Sequence, residues 1–191
     1  QHKKCNKNNI KQRDSIDFLY EILYNYNINV KEPNALRRKM SMVNEFEIKK
    51  QICDIGRRIY NRNMVAANDG NISVKLNDNE FLCTPTGVSK GFMTPEFICK
   101  VDAQGNVIQA NPGFKPSSEI KMHMRVYQKR PDVGSVVHAH PIYATSFAIA
   151  GIPLTQPIMP EAVIALGCVP IAEYGTPSTM EIPDNLEKYL P

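Results

Sequence analysis

Two histidines separated by one residue, in Val136-Val137-His138-Ala139-His140, are the first feature of this sequence able to do chemistry. On an extended strand, positions i and i+2 face the same side. Two imidazoles therefore project together, at a spacing that suits one divalent ion such as zinc. A pair of polar residues at a strand end would look the same, and the pentapeptide alone leaves both readings open. Pro116-Ser117-Ser118-Glu119 is the second feature. It puts two hydroxyls at the start of a predicted helix, where free backbone N–H groups and the helix dipole favour an anion such as phosphate. Simple capping, with Ser118 as N-cap and Glu119 in the first turn, accounts for the same residues. Glu119 and His123 stand four apart on one helical face, spaced for a salt bridge or for support of a ligand. Gly70-Asn71-Ile72-Ser73 and Thr84-Pro85-Thr86-Gly87-Val88 add two glycine-bearing loops at strand ends, where backbone can approach a ligand closely.

The elements that carry these residues follow from periodicity and turn signals. Ile48, Ile52, Ile55 and Ile59 form one stripe of a helix. Asn68-Asp69-Gly70 breaks the chain. Residues 71–76 and 80–84 read as strands joined by the turn Asn77-Asp78-Asn79. Thr94-Pro95-Glu96 resembles a helix start. A second hairpin is expected near 98–102 and 107–110, around Gly105-Asn106. A helix from Ser118 to Lys129 ends at Arg130-Pro131-Asp132. Ser135 to His140 reads as a buried strand, 142–150 as a helix, Val169 to Tyr174 as a short strand and 182–190 as a last helix. Hairpins mixed with helices predict an α/β fold with a largely antiparallel sheet.

Length and charge bound the rest. A chain of 191 residues can build one sizeable core. Residues 1–50 carry 11 Lys and Arg against 6 Asp and Glu, whereas residues 51–191 carry 12 against 13. The basic excess therefore belongs to the N-terminal quarter, where clustered basic residues with interleaved aromatics are only weakly present, and no nucleic-acid partner is expected. We expect residues 1–44 to form a basic, partly disordered extension. Within it, 16–30 has the spacing of a short amphipathic helix that could dock on this chain or on an assembly partner. The rest, 45–191, is expected to be one domain. No apolar run nears the ~20 residues that span a bilayer. The polar start Gln-His-Lys-Lys-Cys lacks the apolar core of a secretory signal, so a soluble, cytoplasmic protein with no membrane partner is expected. Five cysteines without a Cys-x-x-Cys pair argue for reduced, buried thiols.

In combination the motifs resemble a known family. Asn71 in Gly-Asn-Ile-Ser, Thr86-Gly87 in Thr-Pro-Thr-Gly, Lys115-Pro116-Ser117-Ser118-Glu119, Arg130-Pro131-Asp132, His138-Ala139-His140 and Tyr174-Gly175-Thr176-Pro177-Ser178-Thr179 follow the order of the class II aldolase/adducin family, over roughly residues 46–190. The resemblance looks closest to the branch that acts on fuculose 1-phosphate. It implies a three-layer sandwich, an antiparallel central sheet flanked by helices. It implies zinc held by His138 and His140, with Glu119 as acid/base near or on the metal. It implies a substrate phosphate cradled by Asn71, Thr86, Gly87, Ser117 and Ser118. It also implies a homotetramer with sites between subunits. The implied reaction splits a ketose 1-phosphate into dihydroxyacetone phosphate and a small aldehyde such as lactaldehyde. Alternatives on the same scaffold are a sugar-phosphate 4-epimerase, a methylthioribulose-1-phosphate dehydratase and a catalytically silent, adducin-like binding scaffold. Lys90 and Lys115 lie near the phosphate segments, and a solvated surface position is expected for both.

Two departures from the family pattern stand out. A third histidine ligand, expected on a later strand, does not occur before Pro191. His2 and His123 are poor substitutes, and catalytic zinc ordinarily takes three protein ligands. We therefore expect these 191 residues to be part of a longer natural chain, truncated at the C-terminal end of the domain. The second departure is Ile158-Met159-Pro160-Glu161-Ala162, where the branch that acts on fuculose 1-phosphate has a tyrosine that helps handle the aldehyde and this chain has Pro160 or Glu161. Glu161 is either a new polar contact or a residue at a helix N-terminus.

Overall fold

The structure, a computed structural model, describes residues 45–190. The expectations for residues 1–44 lie outside that range. The described residues divide into two compact units, one of 45–145 with 172–190 and one of 146–171.

The first unit opens with helix α1, Glu45–Asn61. Its isoleucine stripe turns inward: Ile48 and Ile52 are buried, and Ile55 and Ile59 pack beside them. Charged residues on the other face pair along the helix, as in Glu45–Lys49 at 3.0 Å and Asp54–Arg58 at 2.9 Å. Five strands follow: β1 Asn71–Lys75, β2 Phe81–Cys83, β3 Cys99–Val101, β4 Val107–Gln109 and β5 Ser135–His138. They form one antiparallel sheet in the order β4-β3-β2-β1-β5. The hairpin turns are built by side chains, as Asn77 Oδ1 accepts the Asn79 N–H at 2.8 Å. Asp102 Oδ1 likewise accepts from Gln104 and Asn106.

Alternation along the strands sorts side chains between two layers. Ile72 and Leu82 face α1. Phe81, Cys83, Cys99 and Val101 face helix α2, Ile120–Lys129, and meet its Ile120, Met124 and Tyr127. The arrangement is helix, sheet, helix, the expected three-layer α/β architecture. Burying a side chain such as Leu82 or Val101 contributes roughly 1.5–3 kcal/mol, which makes the period-2 pattern of β2 and β3 decisive. Helix α3, Ile142–Ile149, and the short helices α4, Pro160–Ala165, and α5, Glu181–Glu187, complete the order. Arg125 on α2 pairs with Asp184 at 2.8 Å and with Glu187, and Lys129 also pairs with Glu187, so α5 is tied to α2 by charge.

Several expectations are corrected. Thr94-Pro95-Glu96 starts a single 3-10 turn, Pro95–Phe97, instead of a helix. β5 stops at His138 and is half-exposed, not buried. No strand covers 169–174: within the second unit Val169 only exchanges hydrogen bonds with Leu154 across an isolated bridge, at 3.0 and 2.8 Å. Glu161 stands in the first turn of α4. Cys53, Cys83 and Cys99 are buried thiols outside any disulfide, as expected. Burial pushes the Cys53 thiol up to about 11 and the other two upward as well, which leaves them inert. Among the described residues no helix is long and apolar enough to cross a membrane.

Candidate metal and phosphate site

Antiparallel pairing of β1 with β5 puts Asn71 opposite His138, so the first residue of one strand meets the last of the other. That register joins the Gly-Asn-Ile-Ser and His-Ala-His motifs, far apart in sequence. Gly70 precedes Asn71 with φ at 73°, and a Cβ there would stand 2.7 Å from the His138 carbonyl oxygen. Only glycine fits both the conformation and the space. Beyond the end of β5, the His140 N–H donates to the Met64 carbonyl at 2.8 Å, which fixes the second histidine.

The two imidazoles converge as their spacing predicts. His138 Nε2 and His140 Nε2 are 3.1 Å apart, with ring centroids 4.8 Å apart. Two nitrogens bound to one zinc at ~2.0–2.1 Å and a tetrahedral angle would be about 3.3 Å apart, so the pair fits a divalent ion closely. His138 is half-buried, and burial together with His140 holds it below the usual imidazole range. It is therefore neutral at physiological pH and offers a lone pair. Asp69 Oδ2 lies 3.9 Å from His140 Nδ1, on the side of the ring away from His138. A carboxylate on that side of the ring is placed to orient a histidine ligand. Sequence reasoning read Asn68-Asp69-Gly70 only as a break; the signal was an acidic residue directly before the Gly-Asn motif.

Glu119 stands apart from this pair. Its Oε1 accepts the Ser178 N–H at 2.8 Å, with the Ser178 hydroxyl at 3.5 Å. Its charge still acts on His138. Among the described residues no three His, Cys, Asp or Glu side chains gather as a metal-holding group, so the donors here are the imidazole pair. Nor does Glu119 pair with His123 as the i+4 spacing allowed. His123 turns into the core, only 1% exposed, with Nδ1 2.7 Å from Ser73 Oγ. Ser73 Oγ also lies 2.8 Å from the Tyr127 hydroxyl. Burial pushes His123 down to about 3, so it is neutral and cannot form the salt bridge.

The residues expected to receive a phosphate lie on three segments held edge to edge. Asn71 Nδ2 donates to Ser117 Oγ at 2.8 Å. Ser117 N–H donates to the Thr84 carbonyl at 3.1 Å, and Thr86 N–H to the Lys115 carbonyl at 2.9 Å, around a bridge between Pro85 and Pro116. Gly87 has φ at 72° and open space where a side chain would be, and it is exposed, as are Thr86 and Ser118. The structure thus brings Asn71 and Ser117 into contact and sets Thr86 beside Lys115. The capping expectation is corrected in detail: Ser117 Oγ, not Ser118, accepts the Glu119 N–H, at 3.4 Å. Lys115 is exposed as expected. Lys90 is not: it is 1% exposed, and its ammonium donates to the Asn68 carbonyl at 3.1 Å and the Val88 carbonyl at 2.7 Å. It ties the loop before Asn71 to the loop after Gly87.

The sequence profile described as class II aldolase and adducin N-terminal domain matches residues 50–191. The chain belongs to that family. It is 34% identical over 136 residues to an L-fuculose phosphate aldolase of Methanococcus maripaludis, covering 71% of this chain and 72% of the relative. It is 32% identical over 142 residues to a 3-oxo-tetronate 4-phosphate decarboxylase of Haemophilus influenzae, covering 72% of this chain and 66% of the relative. A solved L-fuculose 1-phosphate aldolase superposes with a TM-score of 0.68 at 30% identity, covering 75% of this chain and 67% of that one. Aldolases of class II are lyases that depend on a divalent metal.

Proposed function

We propose that this chain is a lyase of the class II aldolase type, cleaving a ketose 1-phosphate into dihydroxyacetone phosphate and a small aldehyde. The observation that carries this is the apposed imidazole pair at the end of β5, directly across from Asn71 and its hydrogen bond to Ser117. His138 and His140 would hold the ion, zinc by the chemistry of the donors. A divalent ion held there would supply Lewis-acid chemistry beside the substrate carbonyl. Asn71, Thr86, Gly87, Ser117 and Ser118 receive the phosphate, and their binding energy fixes the substrate away from the reacting carbon. Glu119, at the start of α2, moves the proton at the carbon that gains electron density when the bond breaks. Its bond to Ser178 N–H holds the carboxylate in place before substrate arrives. We extend the proposal to a cytoplasmic homotetramer with sites between subunits and to a family domain spanning 45–191.

A second reading has its own support. The named relatives include a decarboxylase of a 3-oxo acid phosphate, which also breaks a carbon–carbon bond beside a carbonyl. A panel of fuculose 1-phosphate, 3-oxo-tetronate 4-phosphate, ribulose 5-phosphate and methylthioribulose 1-phosphate, each with added zinc, separates these readings. Dihydroxyacetone phosphate from the first substrate supports the aldolase. Carbon dioxide from the second alone moves the assignment to the decarboxylase. Epimer or dehydrated product from the last two would exclude both.

A further inference from the structure

Three buried side-chain atoms in one layer of the fold, Asn71 Oδ1, His123 Nε2 and His138 Nδ1, find no hydrogen-bond partner among the described residues. The sheet register places them together. Asn71 lies opposite His138, and Ser73 lies opposite Val136, two residues earlier on β5. Asn71, Ser73, Val136 and His138 therefore share one face of the sheet. That face is covered by α2 and the segment leading into it: Ser117 touches Asn71, His123 touches Ser73, and Val136 packs against the cluster that holds Tyr127. Buried polar atoms without partners are rare, and a buried water bonded to about three such atoms is the usual resolution.

We infer that His123 is a positioning residue for His138, joined to it by one buried water that also bonds Asn71 Oδ1. The water accepts from His138 Nδ1–H and donates to Asn71 Oδ1 and to His123 Nε2. His123 then donates through Nδ1–H to Ser73 Oγ, at the observed 2.7 Å, and Ser73 passes its own hydrogen to Tyr127. The consequence is a fixed tautomer. A proton held on Nδ1 leaves the Nε2 lone pair of His138 facing His140, the geometry a metal needs. The inference deepens the proposed function, and rests on it only in taking His138 Nε2 to be the atom offered to the ion. It assigns a role to a histidine that the family motifs leave unused.

These 191 residues hold four histidines, so a long-range nitrogen–proton correlation spectrum of this chain resolves each ring. The spectrum is taken on protein as purified and after EDTA. In both, His138 is expected to carry its proton on Nδ1. His123→Leu should shift His138 toward the Nε2–H form and weaken cobalt(II) binding about 10- to 100-fold, the usual effect of losing a ligand's supporting partner. His123→Gln, which can still reach the water, should recover most of both. Met124→Ala serves as a stability control, because it opens a cavity in the same layer without touching the relay. Its thermal midpoint should fall while cobalt affinity stays within twofold. A His138 that is Nε2–H in the wild-type chain overturns the inference without any variant. So does a His123→Leu chain that keeps the Nδ1–H form and cobalt affinity, including the case where Asn71 alone holds the proton. If the wild-type chain binds no cobalt, the metal reading fails, while the tautomer measurement still decides the relay.

Discussion

Acid should reach this fold through His123. The imidazole is pushed down to about 3 by burial, with His138 adding a smaller push, against an ordinary value of 6.5. Its other neighbours, the Ser73 hydroxyl and the Tyr127 phenol, are neutral, the phenol being held well above its usual range by burial. Between pH 6.5 and about 3 the unfolded chain binds this proton and the folded chain does not. Stability from the neutral ring is therefore complete above 6.5 and is lost as pH falls toward 3. One pH unit within that window costs about 1.4 kcal/mol, so a drop from about pH 7.5 to 4.5 removes roughly 2–3 kcal/mol through this one group. His123→Gln keeps a hydrogen-bonding group beside Ser73 and cannot titrate. Urea unfolding of both chains, followed by circular dichroism with EDTA present throughout, isolates the effect, because all other titrations cancel in the difference. The wild-type advantage at neutral pH should shrink by that amount as the solution is acidified. Stability curves that run parallel from pH 7.5 to 4.5 would refute the assignment of His123 as a neutral buried ring.

Other parts of the fold make separate predictions. Lys90→Met removes the donor from the buried carbonyls of Asn68 and Val88, and should cost about 1–3 kcal/mol of unfolding free energy in denaturant titration. Were Lys90 a surface residue after all, the change would be near zero. Gly56→Ala would put a methyl group 2.7 Å from the Lys90 carbonyl oxygen, against backbone that cannot yield cheaply. A loss of about 1–3 kcal/mol is expected, and an unchanged thermal midpoint would mean that α1 does not approach that turn so closely.

Much of this architecture was legible because local rules and tertiary context agree. The isoleucine stripe of α1, the two hairpins around Asn77 and Gly105, and the paired projection of His138 and His140 each follow from a period or a turn type. What was not legible depends on long-range pairing. Lys90 reads as a surface residue by type, and only the meeting of two loops turns its ammonium into a buried tie. His123 reads as a partner for Glu119 because spacing along a helix says nothing about which neighbour is buried; the sheet beneath it decides for Ser73. Glu119 is drawn to Ser178 by a loop 59 positions away, which no local pattern could reveal. The segment 169–174 has the composition of a strand but finds only one bridging partner, Leu154.

The central claim is that His138 and His140 hold a divalent ion whose presence the reaction requires. Elemental analysis of the purified full chain, paired with release of dihydroxyacetone phosphate from fuculose 1-phosphate, tests it on one sample. About one zinc or equivalent ion per chain is expected. EDTA or His138→Ala should abolish both the ion and the product, and added zinc should restore them only to the EDTA-treated wild-type chain. Metal retained in His138→Ala, or product formed at an undiminished rate by a metal-free chain, would contradict the account.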